Sequence, residues 1–279
     1  MAPTETTLTI ANRRVRYWQA GAAENYPILL IHGGVGDGRL HWHAALPLLA
    51  DDYFVLAFDL PGFGGSDPID GGLEAHVEWI HAFLDEMHLE AAALVGNSFG
   101  GLLVRAFASR YPARVPAAII INGGILPNIT PFFAQLARLP VIGPALFNFI
   151  GGAACSRGSI NRMIYVKRVA SEAFVREVAT YAKSFGRTLR LTAAHPIPQN
   201  LTPPVPTLVL WGIEDQLAPL DEAQHLQKTI PGAKLVQIAD CGHMPQLEEP
   251  EVFATQVKDF LYQIRNPRAS KLPGAGRLS

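Results

Sequence analysis

Short apolar runs recur along the chain, each closed by a glycine, an acid or another polar residue. PILLIHGG, YFVLAFDLPG, AAALVGNSFGG, AAIIINGG, PTLVLWGIED and AKLVQIADCGH all have this form, and two strand signals, TTLTI and RVRYWQA, come before them. Runs that are apolar at nearly every position, rich in Val, Ile and Leu, suit strands buried on both faces. Between them the period becomes helical. LEAHVEWIHAFLDEMH puts Leu73, Val77, Ile80 and Leu84 on one face, and GLLVRAFASRYP, DEAQHLQKTIP and PEVFATQVKDFLYQIR are further helical stretches. Strand alternating with helix predicts an α/β fold with a mainly parallel sheet flanked by helices.

The alternation stops between residues 125 and 200, where helical patterns continue without a clear strand. A structureless excursion of that length is out of place in a compact domain. The expectation is a helical cap insertion at 125–200, a core built from 1–124 and 201–266, and a flexible tail at 267–279.

Composition adds limits. Of 279 residues, 49% are hydrophobic and 17% charged, enough apolar material for a large two-sided core. The formal net charge of −1 leaves no global basic field for nucleic acid or a membrane surface. A small-molecule substrate is therefore expected, with no nucleic acid and no membrane; no oligomeric state is implied. Cys155 and Cys241 are too few for a disulfide framework and lack zinc spacing. The N-terminus has neither the basic nor the apolar region of a signal peptide. The apolar stretch at 131–152 is broken by Arg138, Pro140, Gly143 and Pro144 before it reaches the roughly 20 residues of a spanning helix. A cytoplasmic protein with reduced thiols is the expectation. No cofactor or metal motif stands out. His41-Trp42-His43, with Asp37 nearby, is read as surface or pocket lining in a loop. His76, His81 and His88 are read as a solvated helix face.

In open parallel sheets, ligands bind beyond the carboxyl ends of the strands. Here those ends carry His32-Gly33-Gly34, Asp59, Ser98, Asn122, Asp215 and His243. Gly96-Asn97-Ser98-Phe99-Gly100 fits G-x-S-x-G with a strand before it and a helix after it. Glycines on both sides permit a sharp turn that lifts the serine above a helix N-terminus. A serine hydroxyl needs a base to take its proton. His243, between AKLVQI and the last helix, is the candidate base. Asp215 follows the apolar strand PTLVLWG and is the candidate orienting acid, with Glu214 as its neighbour and rival. Backbone amides of Gly34 and Phe99 are the candidate oxyanion donors, with Val35 as an alternative to Gly34. Asp59 is assigned to ordering the loop PGFGGSD, and Cys241 to packing. Phe132, Phe133, Phe147 and Phe149 either line an acyl pocket or form the cap's own core.

With these residues in hand, the chain resembles the α/β-hydrolase superfamily over nearly its whole length. The match is carried by IHGG at 31–34, FDLPGFGGSD at 58–67, GNSFGG at 96–101, WGIEDQLAP at 211–219 and CGHMPQLEEP at 241–250. The resemblance implies a Ser98-Asp215-His243 triad. Epoxide hydrolases and haloalkane dehalogenases carry an acid at the nucleophile position, where this chain has Ser98. Members with the acid after the sixth strand have a carboxylate where this chain has Asn122-Gly123. GNSFGG is similar to the hydrolases that cut carbon–carbon bonds in ring-cleavage products. Those enzymes usually carry a large aromatic residue after the catalytic histidine, where this chain has Met244-Pro245. The resemblance thus implies a carboxylesterase or lactonase, and the apolar cap expected at 125–200 points to a small, mainly hydrophobic ester or lactone as its substrate. The alternatives are a carbon–carbon bond hydrolase and a non-hydrolytic member: a cofactor-free oxygenase, a cyclase or a ligand receptor.

Overall fold

A computed structural model of the chain describes residues 2–198 and 200–267. The N-terminal strands β1 (Thr4–Ile10) and β2 (Arg13–Ala20) form an antiparallel pair. Then come β3 (Pro27–Ile31), two single-turn helices α1 (Gly38–Trp42) and α2 (Ala45–Leu49), and β4 (Phe54–Phe58). Helix α3 (Leu73–Glu86) leads to β5 (Ala93–Asn97), and α4 (Phe99–Arg110) to β6 (Ala118–Ile121). Among the described residues five helices follow without a strand: α5 (Pro131–Arg138), α6 (Ile142–Ala154), α7 (Arg157–Met163), α8 (Glu172–Thr180) and α9 (Ala182–Ala194). The chain then completes the sheet with β7 (Thr207–Gly212), α10 (Leu220–Thr229) and β8 (Lys234–Ile238), and closes with α11 (Pro245–Glu248) and α12 (Pro250–Arg265).

Among the described residues eight strands form one sheet in the order β1-β2-β4-β3-β5-β6-β7-β8, parallel from β4 through β8. Every residue of β4, β5, β6 and β7 is buried, as continuous apolar runs require of central strands. Successive side chains alternate between two cores. Leu29 and Ile31 join Phe58, Phe83 and Phe107 on the α3–α4 side, while Ile28 and Leu30 join Trp42, Phe253 and Val257 on the α2–α12 side. Burying each such side chain contributes about 2 kcal/mol. The expectation fails for AKLVQI. Strand β8 lies at the sheet edge, and of its five residues only Ile238 is buried. An apolar run cannot say whether its strand has a neighbour on both sides.

Within the helical segment α6 and α9 pack backbone to backbone. A Cβ on Gly151 would stand 2.1 Å from the Ala182 carbonyl oxygen, and one on Gly186 would stand 2.3 Å from that of Phe147. The two glycines let the helices touch. No single described helix is long and apolar enough to cross a membrane.

Candidate active site

The strand ends meet along one edge because the parallel register aligns them. Ile31 pairs with Gly96, Asn97 with Ile121, and Gly212 with Ile238. Ser98 leaves β5 at φ 57°, ψ −117°, far from the conformations an L-residue prefers, and starts α4 directly. Such strain costs about 1–3 kcal/mol and needs surroundings that enforce it. Three glycines do so by removing volume. A Cβ on Gly96 would stand 2.2 Å from the Gly100 carbonyl oxygen, one on Gly100 would stand 2.2 Å from the Ile31 oxygen, and one on Gly123 would stand 2.4 Å from Ser98 Cα. The Ser98 amide donates to the Ile121 oxygen at 2.9 Å, and its carbonyl accepts from Leu102 and Gly124. The hydroxyl-bearing side chain is half-buried at the tip of this turn, and Phe99 occupies the first position of α4, where the helix dipole is positive.

His243 Nδ1 lies 2.6 Å from Asp215 Oδ2, and both residues are buried. Glu214, the rival acid, is exposed. The Asp215 carboxylate is fully engaged: Asn122 Nδ2 donates to Oδ2 at 2.8 Å, and the Leu217 and Ala218 amides donate to Oδ1. Burial alone would raise this carboxyl. The charge and hydrogen bond of His243 and the surrounding donors outweigh burial and hold it below the usual carboxylate range. The acid loop is tied down by Trp211 Nε1 donating to the Ala218 oxygen at 2.9 Å. Asn97 Nδ2, next to Ser98, donates to the His243 carbonyl oxygen at 2.9 Å and links the serine strand to the histidine loop.

The loop after β3 runs past Ser98. A Cβ on Gly33 would stand 3.1 Å from Ser98 Cβ. Gly34 is buried under the ring of Phe185, on α9, which a Cβ at Gly34 would meet at 2.1 Å. Behind the loop sit two buried imidazoles, His32 and His41, with ring centroids 5.5 Å apart. His32 accepts from the Leu60 amide at Nε2 and bonds the Gly33 oxygen through Nδ1, which makes Nδ1 the protonated nitrogen. Burial pushes His32 down to about 4 and His41 to about 3. Both are neutral struts.

Several sequence expectations need correction. His41 lies in α1 and is buried, while His43 is exposed, so the pair does not form a loop surface. His76 is buried rather than solvated: Nδ1 bonds the Gly72 oxygen at 2.9 Å, and the ring stands edge-on to Phe99. Of the four phenylalanines, Phe147 is buried and packs edge-on against Phe133, whereas Phe132 and Phe149 are exposed. Asp59 accepts from the Gly38 and Gly65 amides and from Arg16 Nε, as a loop-ordering role requires. Burial and the neighbouring Asp37 charge raise it to about 6. Cys241 is buried, and burial raises its thiol.

Two features hold roles that the sequence did not assign. Tyr181, between α8 and α9, donates to Asp37 Oδ2 at 2.6 Å, and Arg16 donates to the same oxygen at 2.7 Å, so the helical segment is anchored beside the glycine loop. Glu248 is fully buried and serves four backbone amides. Oε2 accepts from Tyr165, Val166 and Gly242 at 2.8, 2.9 and 3.1 Å, and Oε1 accepts from Met244 at 3.0 Å. His243 itself donates its amide to the Met163 oxygen at 2.8 Å. The histidine loop and the chain after α7 thus share one carboxylate. Cavities of about 440 and 630 Å³ open around His195–Ile197, and Ser98, Asp215 and His243 line neither.

Residues 28–256 match the family model described as the alpha/beta hydrolase family. The chain is an α/β hydrolase. It is similar to the 2-hydroxymuconate semialdehyde hydrolase of a Pseudomonas strain, 32% identical over 90% of this chain and 91% of that protein. It is also similar to the 2-hydroxy-6-oxononadienedioate/2-hydroxy-6-oxononatrienedioate hydrolase of Cupriavidus pinatubonensis, 30% identical over 84% of this chain and 86% of that protein. Among solved structures, a thermophilic esterase from Thermogutta terrifontis superposes with a TM-score of 0.74 at 26% identity, covering 95% of this chain and 99% of that one. This α/β hydrolase is therefore an enzyme.

Proposed function

We propose that the chain is a serine hydrolase that cleaves a small, mainly hydrophobic carboxylic ester or lactone through an acyl-enzyme. The observation that carries this reading is the 2.6 Å contact between His243 Nδ1 and Asp215 Oδ2, in a chain whose Ser98 is held at positive φ between a strand and a helix. With Nδ1 donating to the carboxylate, Nε2 is free to act as base. Ser98 Oγ attacks the substrate carbonyl as Nε2 takes its proton. The amides of Gly34 and Phe99 receive the charge that develops on the carbonyl oxygen. The imidazolium then protonates the leaving oxygen and the acyl–oxygen bond breaks. Water, deprotonated by His243, attacks the acyl-enzyme and releases the acid and Ser98. Asp215 keeps the tautomer and stabilises the imidazolium. Residues 125–200 serve as a cap, and its Phe185, with Met244 beside the base, supports an apolar acyl group.

A second reading, hydrolysis of a carbon–carbon bond in a ring-cleavage diketone, is favoured by the two relatives named for such substrates and by the GNSFGG turn. One experiment separates the readings. The wild-type protein should label with a fluorophosphonate and turn over nitrophenyl butyrate, and Ser98→Ala should do neither. Turnover of a vinylogous diketone without ester turnover would select the second reading. Unchanged ester turnover in Ser98→Ala would remove the serine mechanism altogether.

A further inference from the structure

The near-zero charge of the whole chain predicts no membrane partner, but it averages two unlike parts. Residues 125–200 carry nine Lys and Arg against two acids, Glu172 and Glu177, whereas the whole chain carries 23 basic and 24 acidic residues. The helical segment is thus strongly basic on an acidic body. It also displays apolar surface. Leu139, Pro140, Val141 and Ile142 are four consecutive exposed residues at the turn from α5 to α6. Val141 is 77% exposed and Phe149, two turns along α6, is 76% exposed; Phe132 opens α5 at 68%. Exposed runs of this kind in a folded protein call for a partner.

Helix α6 explains why they are there. Its inward residues Gly143, Phe147 and Gly151 are buried, while Ile142, Ala145, Phe149 and Ala153 lie on the outward side. The helix is apolar on both sides, and no charged residue occurs from Leu139 to Ser156. Arg138 precedes the exposed turn directly, and Lys183 is exposed on α9, which packs on α6. Helices α5 and α6 together have the length and composition of a membrane segment, yet they are bent by 109° at the turn between them. That bend rules out a straight span and presents the apolar turn outward.

We propose that the α5–α6 face docks on an anionic lipid surface, with Val141, Ile142 and Phe149 inserted at the headgroup level and the surrounding basic residues facing lipid phosphates. Apolar insertion and attraction to anionic headgroups act together in such binding. A second copy of the chain suits the face less well, because joining two of these segments brings like charges together. This docking goes beyond the hydrolase reading and does not depend on it.

The test is co-sedimentation of the full-length protein with vesicles of phosphatidylcholine alone and of phosphatidylcholine mixed with phosphatidylglycerol. The wild type should bind the mixed vesicles, more weakly at high salt, and leave most protein in the supernatant with phosphatidylcholine alone. Val141→Asp/Phe149→Asp, which alters only exposed side chains, should lower vesicle affinity about tenfold or more while leaving the melting temperature and nitrophenyl butyrate turnover unchanged. The proposal is overturned if the wild type ignores the mixed vesicles, or if the double variant binds them equally well. It is also overturned if the wild type is a dimer that the double variant makes monomeric without any vesicle binding.

Discussion

Replacing Glu248 by glutamine keeps the size of the side chain and removes one acceptor. The carboxylate serves three amides through Oε2 and one through Oε1. A glutamine can keep only one oxygen. In its better orientation that oxygen takes the Oε2 place, and the new NH₂ faces the Met244 amide, donor against donor. The loss is then one hydrogen bond to a charged group, about 1.5–3 kcal/mol, plus the cost of a buried amide left unpaired, about 1–3 kcal/mol. We expect Glu248→Gln to lower unfolding stability by about 3 kcal/mol, and the opposite orientation would cost more. The two amides flanking His243 both lead to this carboxylate, so catalysis should suffer beyond stability. Loosening the imidazole by a fraction of an ångström should lower kcat by about tenfold or more with KM little changed. Urea denaturation supplies the first number. Steady-state hydrolysis of nitrophenyl butyrate, at a temperature where the variant is fully folded, supplies the second. An unfolding free energy lowered by less than about 0.5 kcal/mol, within the range of ordinary surface substitutions, would refute the claim that this carboxylate ties the two segments together.

Asp215→Asn should leave the fold intact and lower kcat by about 10⁴, because an amide at this position favours the wrong imidazole tautomer; full activity in this variant would point to Glu214 or to a different mechanism. Gly34→Ala should be impaired by the collision of its Cβ with Phe185, and Gly34→Ala/Phe185→Ala should recover part of the loss in kcat/KM, whereas Gly100→Ala strikes the Ile31 carbonyl and should have no such rescue. Acid should destabilise the fold between about pH 6.5 and 4. His32 and His41 have folded pKa values of about 4 and about 3, below the ordinary 6.5, so in this window the unfolded chain binds protons that the native state refuses, and stability falls with pH by a few kcal/mol. Asp59, raised to about 6, opposes this with the contrary sign but is one group against two. Urea midpoints that stay flat from pH 7 to 4.5 would contradict the buried neutral assignment.

The sequence by itself determined the order of elements and the chemistry on offer. Apolar runs closed by polar residues marked the central strands β3 to β7, because a strand buried on both faces has no polar position to spare. Gly96 and Gly100 marked the turn at Ser98, because only glycine admits a backbone that close. The tertiary structure decided what depends on distance across the fold. Asp215 rather than Glu214 meets His243, since the turn after β7 sends one acid inward and its neighbour to solvent. His76 is buried because α3 packs its helical face against Phe99, and a helix sequence rich in Glu and Asp conceals that. Glu248 stands inside the matching stretch CGHMPQLEEP and Phe185 in no motif, yet the role of neither was legible; the amides and the glycine they serve are distant in the chain or belong to backbone, which has no letter in a sequence. The two-sided apolar character of α6 was legible in the letters, but which side faces water was fixed only when α9 closed over the other.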